Sequence, residues 1–472
     1  MTYFFYKPND AWSADFIPFY ERGRYHLFYL LDWRDRAGHG EGTPWYQLST
    51  NDLVHFDEHG CMLSRGAELE QDLYVFTGSV IRAQGQYHIF YTGHNPYLRE
   101  QGKPAQAVMH AVSHDLLTWQ KLPEDTFFAP QDQYEPHDWR DPFVFWNDEA
   151  QEYWMLLAAR LKHGPSRQRG CTALCASQDL KQWEVRDPLW APGLYFTHEC
   201  PDLFRIGDWW YLIFSEFSDA TLTRYRMSRS LTGPWLAPTD DAFDGRAFYA
   251  AKTASNGQRR LLFGWNPTRE GETDQGRWQW GGNLVVHEIV QLADGTLAIQ
   301  APPEVAAQFS AVLDLSIQPE IGDWQIEPGT LAVKAPDCFA WCRLGTMTET
   351  CRLNATFTPS AETAAYGLTL RADQELDHYY QVRLEPRRQR LVFDLWPRPG
   401  DQPMILERPC ILQAGQPVHL QVFADGTVFE IYVNGTVALS TRGYDHSAGD
   451  WGVFVSQGKA VISNLQAAGL CA

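Results

Sequence analysis

The chain has 472 residues, a formal net charge of −19 and 14% aromatic residues, among them 19 Trp. This length exceeds one ordinary hydrophobic core and predicts two domains. The negative charge argues against a nucleic-acid partner, and the lack of an apolar stretch long enough to span a bilayer argues against a membrane partner.

Five similar aromatic segments recur in the first three hundred residues, at 24–33, 86–95, 152–161, 209–218 and 259–268. A second phrase follows each of them, in which a short apolar strand leads into a polar turn, and in four of the five copies an aromatic residue ends the phrase. A repeat of roughly 50 to 65 residues that contains only short strands is typical of propeller blades. The sequence therefore predicts five blades.

The repeat stops after Pro302-Pro303, and short strands of alternating apolar and polar residues follow from about Leu313. The Asp425-Gly426 and Asn434-Gly435 pairs separate strands in the manner of hairpin turns. We therefore predict an all-β protein: a five-bladed β-propeller over residues 1–300, a linker over 301–312, and a β-sandwich over 313–472.

Three carboxylates precede the aromatic segments at similar distances. Asp15, Asp141 and Glu199 lie 11, 12 and 11 residues ahead of what we take to be equivalent aromatic positions. Equivalent positions in successive blades surround one axis, so these acids are expected to meet in one pocket. Two carboxyl groups flanking a bond are what glycoside hydrolysis requires. Burial beside Tyr195 and Phe196 would raise the pKa of Glu199, as a general acid needs.

The order of several motifs resembles glycoside hydrolase family 32, which contains invertases, inulinases, levanases and fructosyltransferases. The motifs are Asp15, FTGS at 76–79, Arg140-Asp141-Pro142, ECPDLF at 199–204 and FYAAKT at 248–253. The resemblance covers nearly the whole chain. It implies a glycosidase that cleaves β-fructofuranosides by a retaining double displacement, with Asp15 as nucleophile, Glu199 as acid/base and Asp141 as transition-state stabiliser.

Six further residues are predicted to contact the sugar: Arg140, Trp33, Gln47, Phe76, Ser79 and Trp265. The chain departs from the family at two positions, because Ala14 stands where an Asn precedes the nucleophile and Leu30 where a Gln follows the first aromatic strand. Each loss leaves a sugar hydroxyl unpaired, at a cost of about 1 to 3 kcal/mol. Either Asp32, Trp33 and Gln47 compensate, or the preferred sugar is not an ordinary terminal fructofuranose.

Other readings stay open at this point: an inverting furanosidase of the arabinofuranosidase kind, a fructosyltransferase, and a non-catalytic carbohydrate-binding protein. We predict a small-molecule carbohydrate as the partner, no cofactor and no metal, since Cys171, Cys175, His198 and Cys200 have poor spacing for zinc. Nine scattered Cys and the absence of a secretory signal predict a cytoplasmic protein. The exact sugar, its linkage and any homo-oligomer are left undetermined.

Overall fold

A computed structural model describes residues 4–398 and 405–471. The propeller's strands form four sheets, and every strand pair is antiparallel. Blades I and II contain β1 to β8, which are Trp12–Glu21, Arg24–Asp32, Trp45–Thr50, Asp57–Leu63, Tyr74–Ala83, Gln86–His94, Gln106–Ser113 and Gln120–Phe127. Blades III and IV contain β9 to β15, which are Tyr134–Asn147, Glu152–Leu161, Gly170–Ser177, Glu184–Trp190, Glu199–Ile206, Trp209–Glu216 and Leu222–Ser228.

Blade V contains β16 to β19, which are Tyr249–Ser255, Arg260–Arg269, Trp278–Gln291 and Leu297–Gln300. Its β18 pairs with β1 through Ser13 and Gly282, so blades V and I belong to one eight-stranded sheet that closes the ring. The short helices of this half are α1 (Arg36–His39), α2 (Pro303–Ala307) and the 3-10 turns Pro96–Gln101, Ser166–Gln168 and Glu270–Glu272. The prediction of a five-bladed propeller is confirmed.

The recurring aromatic segments are the second strands of the blades: β2, β6, β10, β14 and β17. The second recurring motif, where it follows the first three aromatic segments, ends in the same turn each time. A Thr or Ser hydroxyl accepts a hydrogen bond from the backbone N–H of the leucine three residues later, at Leu53, Leu116 and Leu180. An Asp between them accepts further backbone N–H groups. Such side-chain-to-backbone bonds replace strand pairing at a turn, which explains why the phrase recurs.

The second half is an antiparallel β-sandwich, as predicted. Its strands β20 to β26 are Ala311–Leu313, Gln318–Ile321, Asp323–Glu327, Thr330–Thr346, Thr350–Pro359, Ala365–Ala372 and Tyr379–Glu385. A 3-10 turn at Pro386–Arg388 precedes β27 to β32, which are Arg390–Trp396, Leu406–Pro409, Val418–Asp425, Val428–Val433, Val437–Arg442 and Asp450–Gly469. The long strand β32 pairs with β23, β24 and β25 and so joins the two layers around a core of their buried apolar side chains.

One hydrophobic cluster joins the two halves of the molecule. Phe423, Tyr432 and Ala438 of the sandwich pack with the buried side chains of blades I, IV and V. The predicted domain limits at 300 and 313 stay predictions, and their outer ends at residues 1–3 and 472 lie outside the described residues. Across the described residues, no helix has the length and apolarity to cross a membrane.

Candidate active site

Each innermost strand of the propeller has a β-bulge at the same level. The register shifts opposite one residue pair in every blade, which places five two-residue bulges around the axis: Ala14-Asp15, Phe76-Thr77, Arg140-Asp141, Glu199-Cys200 and Tyr249-Ala250. A bulge re-aims the side chains of a strand, and bulges are common beside active sites. All of these residues except Ala14 line one cavity of about 610 Å³.

The backbone at several bulges is in the left-handed region. The φ angles are 48° at Asp15, 58° at Asp141, 50° at Cys200 and 51° at Ala250. Positive φ is uncommon for residues other than glycine and persists only where the surrounding structure enforces it. The bulge geometry thus fixes the direction in which the acids enter the cavity.

The strand register corrects the spacing by which the sequence aligned the three acids. Cross-strand partners make Tyr153 and Trp210 equivalent to Tyr25 rather than to His26. Asp15 and Asp141 then occupy the second bulge position, whereas Glu199 occupies the first. The acids still converge, because both bulge positions line the cavity in blades II to V, and Asp15 lines it in blade I.

Asp15 and Asp141 accept hydrogen bonds from residues of neighbouring blades. Asp15 Oδ2 accepts a bond of 2.7 Å from the Thr77 hydroxyl, and its Oδ1 accepts one of 3.0 Å from the Trp265 indole N–H. Asp141 Oδ2 accepts a bond of 2.9 Å from the backbone N–H of Cys200. Donors on both oxygens of Asp15 favour its ionised form.

Glu199 lies between a cation and a phenol. Its Oε1 accepts a bond of 3.1 Å from Arg140 Nη2, and its Oε2 accepts one of 2.6 Å from the Tyr249 hydroxyl. Arg140 is buried, and it is held by Asp138 and Thr197 as well. Glu199 is therefore fixed in position from both sides.

Burial dominates the electrostatics of the site. It raises the pKa of Asp15 to about 7, while the bond from Thr77 opposes the shift and the charge of Asp141 adds to it. Burial also raises the pKa of Glu199, against the opposing effect of the Arg140 charge. A cleft in which burial raises the pKa of carboxyl groups is typical of acid/base chemistry.

The predicted sugar-contact residues separate into two groups. Trp33, Phe76 and Arg140 line the cavity, and Trp265 reaches the site through its bond to Asp15. Gln47 and Ser79 are not among the lining residues: the Gln47 amide bonds the His26 ring, and the Ser79 hydroxyl accepts the N–H of Val144 in the next blade. Their predicted contact with substrate has no support from this geometry.

Sequence reasoning missed Thr77 and Tyr249 as site residues. Both lie within phrases that it did single out, at 76–79 and 248–253. The signal that would have found them is their equivalence to the acids in the bulge, since Thr77 matches Asp15 and Asp141, and Tyr249 matches Glu199.

The altered positions lie on blade I. Ala14 is fully buried, and Leu30, its partner across β1 and β2, presents an apolar side chain to the cavity. Of the three residues expected to compensate, Asp32 and Trp33 line the cavity, whereas Gln47 does not. The cavity wall is completed by Tyr74, Trp280 and the segment around α1.

Comparison with known proteins agrees with this architecture. Residues 6–302 match the N-terminal domain of glycosyl hydrolases family 32, and residues 329–469 match the C-terminal domain of the same family. The fold is similar to that of exo-inulinase from Aspergillus awamori, with a TM-score of 0.74 over 100% of this chain and 98% of the inulinase, at 17% identity.

Two curated relatives are sucrose-6-phosphate hydrolases. The protein from Escherichia coli is 24% identical over 98% of this chain and 93% of its own length. The protein from Vibrio alginolyticus is 26% identical over 61% of this chain, and the match spans only 60% of that relative. The two domain matches together cover most of the sequence, and the chain belongs to glycosyl hydrolase family 32.

Proposed function

We propose that the protein hydrolyses β-fructofuranosides, such as sucrose-like or fructo-oligosaccharide substrates, by a retaining double displacement. The observation that carries this proposal is the convergence of Asp15, Asp141 and Glu199 on one cavity, with different partners on each acid. Two carboxyl groups on opposite sides of a glycosidic bond are the required machinery. The relatives that act on sucrose-6-phosphate support the substrate class.

In the first step, Asp15 attacks the anomeric carbon of the fructosyl group, and Glu199 protonates the departing oxygen as the glycosidic bond breaks. The two donors on Asp15 favour the ionised form that attacks, against the burial that raises its pKa to about 7. In the second step, Glu199 takes a proton from water, and the water oxygen displaces Asp15 from the fructosyl ester. Asp141, fixed by the backbone N–H of Cys200, stabilises the cationic transition state.

The indole and phenyl rings of Trp33 and Phe76 offer faces on which sugar rings pack. Arg140 holds Glu199 and lies close enough to the floor to meet sugar hydroxyls. A cytoplasmic location is also proposed, and the nine unpaired cysteines support it.

Kinetics of two substitutions test the assigned roles. Asp15→Ala is expected to abolish turnover of every substrate, and azide is not expected to restore a retained product. Glu199→Ala is expected to lose most activity on sucrose and far less on an aryl fructofuranoside, whose leaving group hardly needs protonation. Azide should rescue the Glu199 variant, since this anion needs no deprotonation. Equal loss on both substrates without rescue would exclude Glu199 as the proton donor.

A panel of fructosyl and arabinosyl furanosides, with products followed by NMR, tests the substrate class. Release of β-fructofuranose as the first product supports the proposal. Inverted arabinose would show an inverting arabinofuranosidase, transfer products at high sugar concentration would show a transferase, and binding without turnover would show a carbohydrate-binding protein.

A further inference from the structure

The hairpin between β17 and β18 extends from blade V to the sandwich, and its tip is held there. Asp274 at the tip is fully buried. Its carboxylate accepts bonds from the Tyr380 hydroxyl at 2.5 Å and from the backbone N–H groups of Tyr444 and Asp445 at 2.9 and 3.2 Å. The N–H of Asp274 in turn donates to the Asp445 side chain at 3.1 Å. Every one of these partners belongs to the sandwich.

A second contact holds the base of the same hairpin. Arg442 of β31 is buried, and its guanidinium donates to the carbonyl oxygens of Asn266 and Pro267 at 2.9 and 2.8 Å. The carbonyl of Asn266 also lies against Gly282, where an added Cβ would be 1.7 Å from that oxygen. The two arms of the hairpin therefore meet at this point with no room for a side chain.

Both arms carry a tryptophan of the active site. Trp265 precedes Asn266 and donates to the candidate nucleophile Asp15. Trp280 lies on the other arm, between the held tip and the held base, and it lines the cavity with 37% of its surface exposed. The two indole rings contact each other at 6.1 Å between centroids with an interplanar angle of 63°.

The residue that follows Trp280 is a glycine with a positive φ angle. Gly281 has a φ of 85°, a conformation that glycine adopts at little cost. Near Trp280 the arm is held by the Arg34 guanidinium, which donates to the carbonyl oxygens of Trp280 and Gly281, and the contact at Asp274 holds the arm at its tip.

We propose that Asp274 is a positioning residue through which the sandwich domain sets the place of Trp280, and with it the binding of the substrate's leaving group. This inference rests on the proposed hydrolysis of fructofuranosides. A sugar leaving group presents an apolar face that stacks on an indole ring, whereas the fructosyl group itself is held at the floor by the three acids.

The test compares Asp274→Asn with Asp240→Asn in the full-length chain. Asp240 also bonds the sandwich, through Arg408 Nη2 at 2.6 Å, but it has no contact with the hairpin among those described. Steady-state kinetics are measured on sucrose and on methyl β-D-fructofuranoside, whose methyl leaving group is too small to reach the rim.

Asp274→Asn is expected to raise KM for sucrose by about five- to tenfold with kcat nearly unchanged. It should leave both constants for the methyl fructoside unchanged, and Asp240→Asn should change neither substrate. In a Trp280→Ala background, Asp274→Asn should raise KM no further, because both changes remove one interaction. A uniform fall in kcat, additive effects, or equal effects of the two Asn variants would overturn the proposal.

Hydrogen exchange of the substrate-free protein gives a second readout. Asp274→Asn should speed exchange over residues 270–282, and Asp240→Asn should not. Unchanged exchange there refutes the positioning role of Asp274 whether or not the enzyme cleaves fructosides. Failure of the wild type to cleave either substrate refutes only the proposed function.

Discussion

The hydroxyl of Thr77 offers a direct way to test whether Asp15 acts as an ionised nucleophile. Thr77→Val keeps the shape of the side chain but removes the bond of 2.7 Å to Asp15 Oδ2. The Trp265 bond to the other oxygen remains. The substitution therefore removes one of two donors that favour the ionised carboxylate, at a residue that is itself buried.

The size of the effect follows from the value of such a bond. Burial raises the pKa of Asp15 to about 7, and the Thr77 bond opposes that shift. A hydrogen bond to a charged group contributes about 1.5 to 3 kcal/mol, and one pKa unit corresponds to about 1.4 kcal/mol. Losing the bond should therefore raise the pKa of Asp15 by about 1 to 2 units. Because the nucleophile must be ionised, activity of the wild type should fall as the pH drops through about 7.

The assay is the pH dependence of kcat/KM, which reports groups of the free enzyme. Thr77→Val should move the acid limb to higher pH by about 1 to 2 units, with recovery of much of the rate at alkaline pH. Ser79→Ala is the control, since it removes a hydroxyl from the same strand that bonds Val144 rather than Asp15. A uniform loss of rate with an unmoved acid limb would refute the reasoning, and so would an equal shift in the control.

Two further predictions concern Glu199 and Glu430. Tyr249→Phe removes the 2.6 Å hydrogen bond that favours the ionised form of Glu199, so the pKa of Glu199 should rise. The alkaline limb of the pH profile of kcat/KM should then move to higher pH by about 1 to 2 units, and an unmoved limb would contradict this. Burial raises the pKa of Glu430, which bonds Ser440 at 2.6 Å, so the folded protein keeps a proton that the unfolded chain releases above about pH 4.3. Stability from this group is therefore lost as the pH rises, and Glu430→Gln should stabilise the fold mainly at high pH. Urea unfolding should show that the free energy of unfolding falls less between about pH 5 and 8 in this variant than in the wild type, and an equal fall would count against the prediction.

The overall architecture was predictable because it repeats. The five aromatic strands recur at intervals typical of propeller blades, and the structure places each as the second strand of a blade. The convergence of Asp15, Asp141 and Glu199 followed from the same repeat, although the assumed alignment was one residue out of register for blade I. The error did not change the outcome, because Asp15, Asp141 and Glu199 all line the cavity although they hold different bulge positions.

The lining of the cavity was less predictable, since it depends on where the bulges lie. Ser79 is only two residues beyond Thr77, yet its side chain bonds the neighbouring blade instead of facing the cavity. Gln47 lies on a third strand, away from the axis, where it pairs with His26. Spacing along the chain does not reveal bulges, and so it could not separate Thr77, which reaches Asp15, from these two residues.

The distribution of supports around Asp15 explains how the sugar-binding wall can differ from the family's while the acids are kept. Ala14 and Leu30, the altered residues, belong to blade I, as Asp15 itself does. The hydrogen bonds that hold Asp15, however, come from Thr77 of blade II and Trp265 of blade V. Changes in blade I can therefore remove partners for sugar hydroxyls without removing the donors on the nucleophile. Specificity and catalysis are separable here because each acid is held by residues of other blades, and blade I is accordingly where a changed sugar preference should originate.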